Sequence, residues 1–124
     1  MSASRSVVHR LSPSVEGAYG DMTELLTQGE AVADCYFADN DLIAAGALRA
    51  LKEQGYQIPK DVAIIGFDDM PLCSYMEPAL STVQVPKQYM GQMAAKRLSE
   101  IIEEPSSSPV KLEIRTSLVK RKSV

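Results

Sequence analysis

The sequence has 124 residues, of which 45% are hydrophobic, so its length and composition are those of one globular domain. Its net charge of -3 argues against intrinsic nucleic-acid binding, which usually requires a basic surface. Two cysteines, Cys35 and Cys73, are too few for a disulfide framework or a zinc site, and their apolar surroundings favour buried free thiols in a reducing cytoplasm. No apolar run is long enough to cross a membrane, and the first five residues lack the apolar core of a secretion signal.

The chain opens with a short β-branched run, Ser6–Leu11, which predicts a strand that begins almost at the first residue. A strand in this position indicates a chain that begins inside a larger architecture. The only histidine, His9, lies in this run with no carboxylate or cysteine at a catalytic spacing. We therefore interpret His9 as a surface or partly packed strand residue.

The first helix is predicted to start at Ser12-Pro13, because a hydroxyl cap followed by proline is typical of a helix start. Ser14 is an alternative cap. Apolar residues then recur at helical spacing and define one apolar face. The helix is predicted to end at Gln28-Gly29, since glycine favours the left-handed backbone that follows a helix.

A second short apolar run, Asp34–Ala38, predicts a strand, and the following segment, Asp41–Gln54, predicts a helix that stops at Gly55. The polar turn Asp39-Asn40-Asp41 lies between them. One of these three residues is expected to cap the helix, and the carboxylates favour its positive end.

The most apolar run is Val62–Asp69, in which five of the first six residues are apolar. Such a run predicts a strand covered on both faces, as in a parallel sheet packed between helices. A helix is predicted between each pair of successive strands. The order β-α-β-α-β therefore predicts an α/β fold, with a parallel sheet and helices on both faces.

The second half of the chain carries five further signals. The segment Met70–Met76 predicts a short helix whose apolar side chains either form a partner interface or pack back onto the domain. Leu80–Val85 predicts a weaker strand, and Pro86 opens a third helix. Val110–Leu118 alternates between apolar and polar residues, which predicts a half-exposed strand long enough to cross between two sheets. The basic run Lys120–Lys122 predicts a solvated chain end.

Residues for catalysis are not arranged in any familiar pattern. The sequence has no nucleophile elbow, no glycine-rich phosphate loop and no cluster of metal ligands, so we expect no enzymatic activity, no cofactor and no metal site. Two polar pairs, Asn40-Asp41 and Asp68-Asp69, follow predicted strands. Each pair alone is better explained as helix capping. Taken together they lie at the carboxyl ends of consecutive parallel strands, where an amide and a carboxylate can hydrogen-bond the hydroxyls of a sugar or nucleoside.

Three segments carry a resemblance to a known family: Phe37–Gly55, Ile58–Asp69 with its terminal Gly66-Phe67-Asp68-Asp69, and Pro78–Val83. In this order they resemble the carboxyl-terminal part of LacI/GalR-family transcriptional regulators, and the match covers nearly the whole chain. The resemblance implies a periplasmic-binding-protein-like sensor. In that family a small-molecule effector, a sugar or related compound, binds between two lobes, and an amino-terminal helix-turn-helix binds operator DNA.

The resemblance also implies how this chain is divided. Residues 6–83 are expected to supply most of the second lobe. Residues 86–124 are expected to supply a crossover helix and a strand that belong partly to the first lobe. The DNA-binding domain, the hinge helix and the first half of the sensor are expected to lie outside this sequence.

The resemblance implies ligand-binding roles for Asn40, Asp68, Ser14 and Val85. Ser14 stands where related sensors often place an aromatic or other ligand-lining residue, and Val85 stands where a family member has a polar ligand contact. These two departures argue against a lac-like galactoside. The family's dimer interface uses the helix after Asn40 and the short segment after the aspartates, which implies interface roles for Ala45, Leu72, Tyr75 and Met76.

We therefore expect the effector-sensing and dimerisation part of a cytoplasmic transcription repressor that acts by population shift. With half of the cleft outside this sequence, the chain alone should bind effector weakly or not at all and should self-associate. Two alternatives remain open: a periplasmic-type sugar-binding protein for transport or chemotaxis, and a small α/β enzyme that uses Asp68 as a base.

Overall fold

The computed structural model describes residues 6–124 of the chain. The prediction that the first five residues lack a signal-peptide core lies outside these residues. Within them, the helices are α1 (Val15–Thr27), α2 (Asp41–Glu53) and α3 (Lys87–Glu103), and the strands are β1 (Cys35–Phe37), β2 (Ala63–Asp68), β3 (Ser81–Gln84) and β4 (Ser117–Val119). A single 3-10 turn, Pro71–Ser74, follows β2 in place of the short helix predicted over Met70–Met76.

The four strands form one sheet in the order β1-β2-β3-β4. Strands β1 to β3 are parallel, with Phe37 opposite Ile65 and Asp68 opposite Gln84. Strand β4 runs antiparallel to β3, with Thr82 opposite Val119, so the sheet is mixed rather than wholly parallel. Helix α2 connects β1 to β2, while the 3-10 turn lies between β2 and β3, and the predicted α/β class is confirmed.

The core lies between α2 and the sheet, and α1 packs against α2. Leu48 and Leu51 of α2 are buried with Ile64 of β2, and burial of each such side chain contributes about 1.5–3 kcal/mol. On the opposite face of β2, Ile65 and Phe67 are half-buried. The helices approach closely at Gly46, where an added Cβ would lie 2.4 Å from the carbonyl oxygen of Val15.

The predicted strand Ser6–Leu11 is wrong: these residues form no strand. The segment nevertheless lies near the sheet, since the ring of His9 is 5.9 Å from that of Tyr36 in β1. A β-branched run becomes a strand only when its backbone groups pair with a neighbour, and among the described residues this run has no backbone partner.

Helix α1 starts at the later of the two predicted caps. The Oγ of Ser14 accepts a hydrogen bond from the N–H of Gly17 at 3.0 Å. Ser12 instead donates from both its N–H and its hydroxyl to Asp21 at 2.7 Å, and these two hydrogen bonds lower the pKa of the Asp21 carboxyl. The predicted end at Gln28-Gly29 is confirmed, with Gly29 at a φ of 81°.

The long strand predicted over Val110–Leu118 is also wrong, because only Ser117–Val119 pair with β3. Residues 110–116 have strand-like alternation but no ladder partner within the described chain. Helix α3 has no buried residue, and its apolar side chains are exposed at Met90, Leu98, Ile101 and Ile102. No helix in residues 6–124 combines the length and the apolar character needed to span a bilayer.

Candidate functional site

The turns after β1 and β2 meet at the carboxyl edge of the sheet. The N–H of Ala38, just after β1, donates to the carbonyl oxygen of Ile65 at 2.9 Å, so β1 ends beside Ile65 while β2 continues to Asp68. Beyond their ends, the N–H of Met70 donates to the Asp41 carboxylate at 2.7 Å. This bond joins the turn that carries Asn40 to the turn that carries Asp68, as the strand order predicts.

Asn40 caps α2 and keeps its amide nitrogen available. Its Oδ1 accepts a hydrogen bond from the N–H of Ile43 at 2.9 Å, which identifies Asn40 as the cap among the three polar turn residues. The Nδ2 group donates to no residue in the described chain, and the side chain is half-buried. The two amide N–H donors of Asn40 therefore have no hydrogen-bond partner among residues 6–124.

Asp68 ends β2 in an unusual conformation. Its φ is 112° and that of Asp69 is 53°, and neither residue is glycine. Backbone in these regions costs on the order of 1–3 kcal/mol per residue and persists only where the surroundings hold it. The carbonyl oxygen of Asp68 accepts a hydrogen bond from Lys87 Nζ at 2.8 Å, whereas no described residue donates to its carboxylate. Asp68 thus presents an unpaired, half-buried acid at the same edge as Asn40.

Asp69 has a different role from its neighbour. Its carboxylate accepts from Arg121 Nη2 at 2.8 Å and from Gln84 Nε2 at 3.0 Å, and its N–H donates to Thr82 Oγ1 at 3.3 Å. Neither aspartate caps the 3-10 turn, because the residue at the cap is Met70 and its side chain makes no capping bond. The capping interpretation of Asp68-Asp69 is therefore wrong.

Asp41 is fully buried and fixes the turns from beneath. Its Oδ1 accepts from the Thr82 hydroxyl at 2.6 Å, and its Oδ2 accepts from the N–H of Met70. Gly66 leaves the space for this carboxylate, since an added Cβ there would lie 2.3 Å from Oδ1. Burial, followed by the hydrogen bond and the charge of Asp41, raises the pKa of the Cys73 thiol to about 12.

The predicted ligand residues Ser14 and Val85 are placed differently. Val85 follows β3 at the same sheet edge and lines an open depression of about 510 Å³ with Gln84, Lys87 and Tyr89. Gln84 lies opposite Asp68 in the sheet, so this depression adjoins the strand end that carries Asp68, although neither Asp68 nor Asn40 lines it. Ser14 is exposed at the start of α1, where its oxygen is used by the helix cap. The ligand role of each residue stays a prediction.

A second depression, of about 370 Å³, lies between α3 and residues 112–115. It is lined by Tyr89 and Met93 of α3 together with Leu112 and Ile114. None of the residues that line it belongs to the Asn40 or Asp68 turns. No residue of those turns lines the sheet-edge depression either, but its residue Gln84 lies opposite Asp68 and donates to Asp69. The sheet-edge depression is therefore the better candidate, and its size suits a small ligand.

The predicted interface residues differ in exposure. The Tyr75 side chain is strongly exposed, with a relative accessibility of 88%. Leu72 and Ala45 are half-buried, and Met76 packs against the core. Of the two interpretations of this segment, packing back onto the domain describes Met76, while Tyr75 remains free to meet a partner. Interface roles for these four residues stay predictions.

Sequence reasoning missed the carboxyl-terminal segment. The basic run was predicted to be a solvated chain end, but the Arg121 side chain is only 20% exposed and pairs with Asp69. Ser123 is fully buried, and its hydroxyl donates to the carbonyl oxygen of Ile64 at 2.6 Å. A basic run alone predicts exposure to solvent. The only signal in the sequence for the contact between Arg121 and Asp69 was an aspartate at a strand end with no evident partner.

The comparisons with known proteins agree with this architecture. A family model described as a periplasmic binding protein-like domain matches residues 3–124. The regulator CelR of Thermobifida fusca is 36% identical over 115 residues, which are 86% of this chain and 34% of CelR. The ribose operon repressor of Haemophilus influenzae is 36% identical over 109 residues, which are 88% of this chain and 32% of that protein. The chain thus spans about a third of the length of these curated relatives.

Solved structures give the same result. A complex of the regulator CelR with cellobiose superposes with a TM-score of 0.82 at 34% identity, covering 91% of this chain and 34% of that one. A LacI-family regulator of Enterococcus faecium with bound ribose gives 0.79 at 35% identity, covering 91% and 41%. These likenesses confirm the predicted periplasmic-binding-protein-like fold. The chain belongs to the periplasmic-binding-protein-like domain family, in the group formed by the LacI/GalR-type transcriptional regulators.

Proposed function

We propose that this chain is the effector-sensing and dimerisation part of a LacI-type transcriptional regulator, and that it binds a small sugar-like or nucleoside-like ligand without catalysing a reaction. The observation that carries the proposal is the pair of unpaired polar groups, the Asn40 amide and the Asp68 carboxylate, at one edge of the sheet. Half-buried donors and acceptors of this kind select ligands that form hydrogen bonds with them. They reject ligands that leave them without a hydrogen-bond partner.

The bound ligands of similar structures support a sugar-like effector. Related regulators were solved with ribose, with cellobiose and, in one from Arthrobacter, with lactose. All are polyhydroxylated, which suits an amide donor beside a carboxylate acceptor. Because the named relatives are transcriptional regulators and repressors, we favour regulation in the cytoplasm over transport, and over an enzyme that uses Asp68 as a base.

The mechanism we propose is a population shift between two arrangements of two lobes. Residues 6–83 form most of the second lobe, and α3 with residues 110–116 belongs to the first, which accounts for an α3 without buried residues. An effector that contacts both lobes favours one arrangement, with a coupling of about 1–3 kcal/mol to a DNA-binding part elsewhere in the protein. Dimers form through the surface of Ala45, Leu72, Tyr75 and Met76, and no membrane is involved.

Titration calorimetry of the intact protein with ribose, cellobiose, lactose and a set of nucleosides tests the ligand proposal. Asn40→Asp keeps an oxygen that can cap α2, replaces the amide donor with a carboxylate acceptor and adds a negative charge. Asp68→Asn keeps the shape of the side chain and removes its charge. Each lost hydrogen bond to a charged or buried partner costs about 1.5–3 kcal/mol, so each variant should weaken binding at least about tenfold.

The matched control is Asp39→Asn, an exposed neighbour in the same turn, which should leave the Kd unchanged. A ligand that binds the parent and both site variants with equal affinity would contradict the proposed site.

A further inference from the structure

The carboxylate of Asp68 is held in place by its backbone rather than by its own side-chain contacts. Two consecutive residues, Asp68 and Asp69, have positive φ values of 112° and 53°. Non-glycine residues leave such conformations unless neighbouring groups fix the peptide on both sides. The direction in which Asp68 points therefore depends on whatever holds the peptide units next to it.

Asp69 fixes the carboxyl side of this turn. Its carboxylate accepts hydrogen bonds from Arg121 Nη2 at 2.8 Å and from Gln84 Nε2 at 3.0 Å. The ion pair is shielded, with side-chain accessibilities of 20% for Arg121 and 15% for Asp69. Shielding of this degree reduces screening by solvent, so the pair is stronger than an exposed surface ion pair.

Arg121 is itself fixed by the sheet. Its Nη1 donates to the carbonyl oxygen of Leu80 at 2.8 Å, and its backbone N–H donates to the Ser81 hydroxyl at 2.7 Å. Two residues later, the N–H of Ile64 donates to the Ser123 carbonyl at 3.0 Å. These hydrogen bonds attach the segment that carries Arg121 to β2 and β3, and they fix the position of the guanidinium.

We propose that Arg121 is a positioning residue for the ligand site: through Asp69 it holds the strained turn that aims the Asp68 carboxylate at the effector. The inference rests on the proposed function and adds a specificity residue from the basic carboxyl-terminal run. A planar guanidinium that contacts Asp69 and the Leu80 carbonyl at once cannot be replaced by a point charge without loss.

The test measures ligand affinity and coupling in the intact protein. Among ribose, cellobiose and lactose, the sugar that binds the parent is titrated into Arg121→Met, into Asp68→Asn and into the double variant. Arg121→Met should weaken binding about tenfold, and in the Asp68→Asn background it should cause almost no further loss, because the two residues act through one contact. Arg121→Lys should recover only part of the affinity.

Lys120→Met is the matched control, since this exposed neighbour should leave the Kd unchanged. If Arg121→Met does not fold, Asp69→Asn replaces it, because asparagine tolerates positive φ and lacks the charge. An unchanged Kd in the folded variant, or an equal loss in both backgrounds, would overturn the positioning role while leaving the proposed ligand site intact. A parent that binds none of the sugars and no nucleoside would overturn the proposed function together with this inference.

Discussion

The buried carboxylate of Asp41 joins three parts of the molecule: the start of α2, the Thr82 hydroxyl in β3 and the N–H of Met70 after β2. The sequence predicted a capping position in this turn but not this role. A charged residue at a helix start ordinarily faces solvent. The contacts of the Asp41 carboxylate with Thr82 and Gly66 are visible only in the fold, because both residues are distant from Asp41 in sequence.

Thr82→Val tests how much the hydrogen bonding of the Asp41 carboxylate contributes to the free energy of unfolding. Valine has nearly the shape of threonine but no hydroxyl, so Oδ1 of Asp41 loses its donor while remaining buried. The variant should lower the free energy of unfolding by about 1–3 kcal/mol in urea denaturation. Thr116→Val, on an exposed segment, should change it by less than about 0.5 kcal/mol. Equal stabilities for the two variants would contradict the structural role of Asp41.

The two thiols should differ in reactivity. Burial and the neighbouring Asp41 carboxylate raise the pKa of Cys73 to about 12, so at pH 8 almost none of this thiol is the reactive thiolate. Cys35 is exposed. A disulfide-exchange reagent at pH 8 should modify one thiol per native chain and a second only after unfolding in guanidinium. Rapid modification of both thiols in the native protein would contradict the packing around Cys73.

Helices were predicted more successfully than strands, and the reason is physical. A helix pairs its backbone within one segment, so caps and periodicity at Ser14, Asn40 and Gly29 carry most of the signal. A strand exists only if another segment pairs with it. The runs Ser6–Leu11 and Val110–Thr116 have strand composition, yet the described chain gives them no ladder partner.

The contact between α1 and α2 depends on the absence of a side chain at Gly46. A Cβ added there would lie 2.4 Å from the Val15 carbonyl oxygen and 2.7 Å from the backbone nitrogen of Tyr19. Gly46→Ala should therefore separate the helices and lower the free energy of unfolding by about 1–3 kcal/mol, although alanine favours helix.

Gly20→Ala is the matched control for this contact. Its added Cβ meets nothing within 4 Å, so it should raise stability by about 0.5–1 kcal/mol through helix propensity. Chemical denaturation of both variants checks the pair. Stabilisation by Gly46→Ala would show that α1 does not approach α2 as described.

At the scale of the whole molecule, exposed apolar side chains predict self-association. Light scattering at micromolar concentrations should give a mass above the 13.5 kDa of one chain. Tyr75→Asp, in the proposed dimer surface, should lower that mass, whereas Tyr89→Asp on α3 should not. A lone-chain mass throughout would contradict self-association. A loss of association with Tyr89→Asp alone would move the interface to α3.

The two polar pairs were predicted from the sequence because strand ends in a parallel sheet meet at one edge, and the family resemblance implied ligand roles for Asn40 and Asp68 within them. Arg121 and the strained backbone of Asp68 could not be, since both depend on the path of the last residues under the sheet. The central claim is that one small molecule touches both side chains. A crystal structure of the intact protein with the sugar that binds it should place ligand hydroxyls within hydrogen-bond distance of the Asn40 amide and the Asp68 carboxylate. A sugar seated instead between α3 and residues 112–115, with neither side chain in reach, would contradict it.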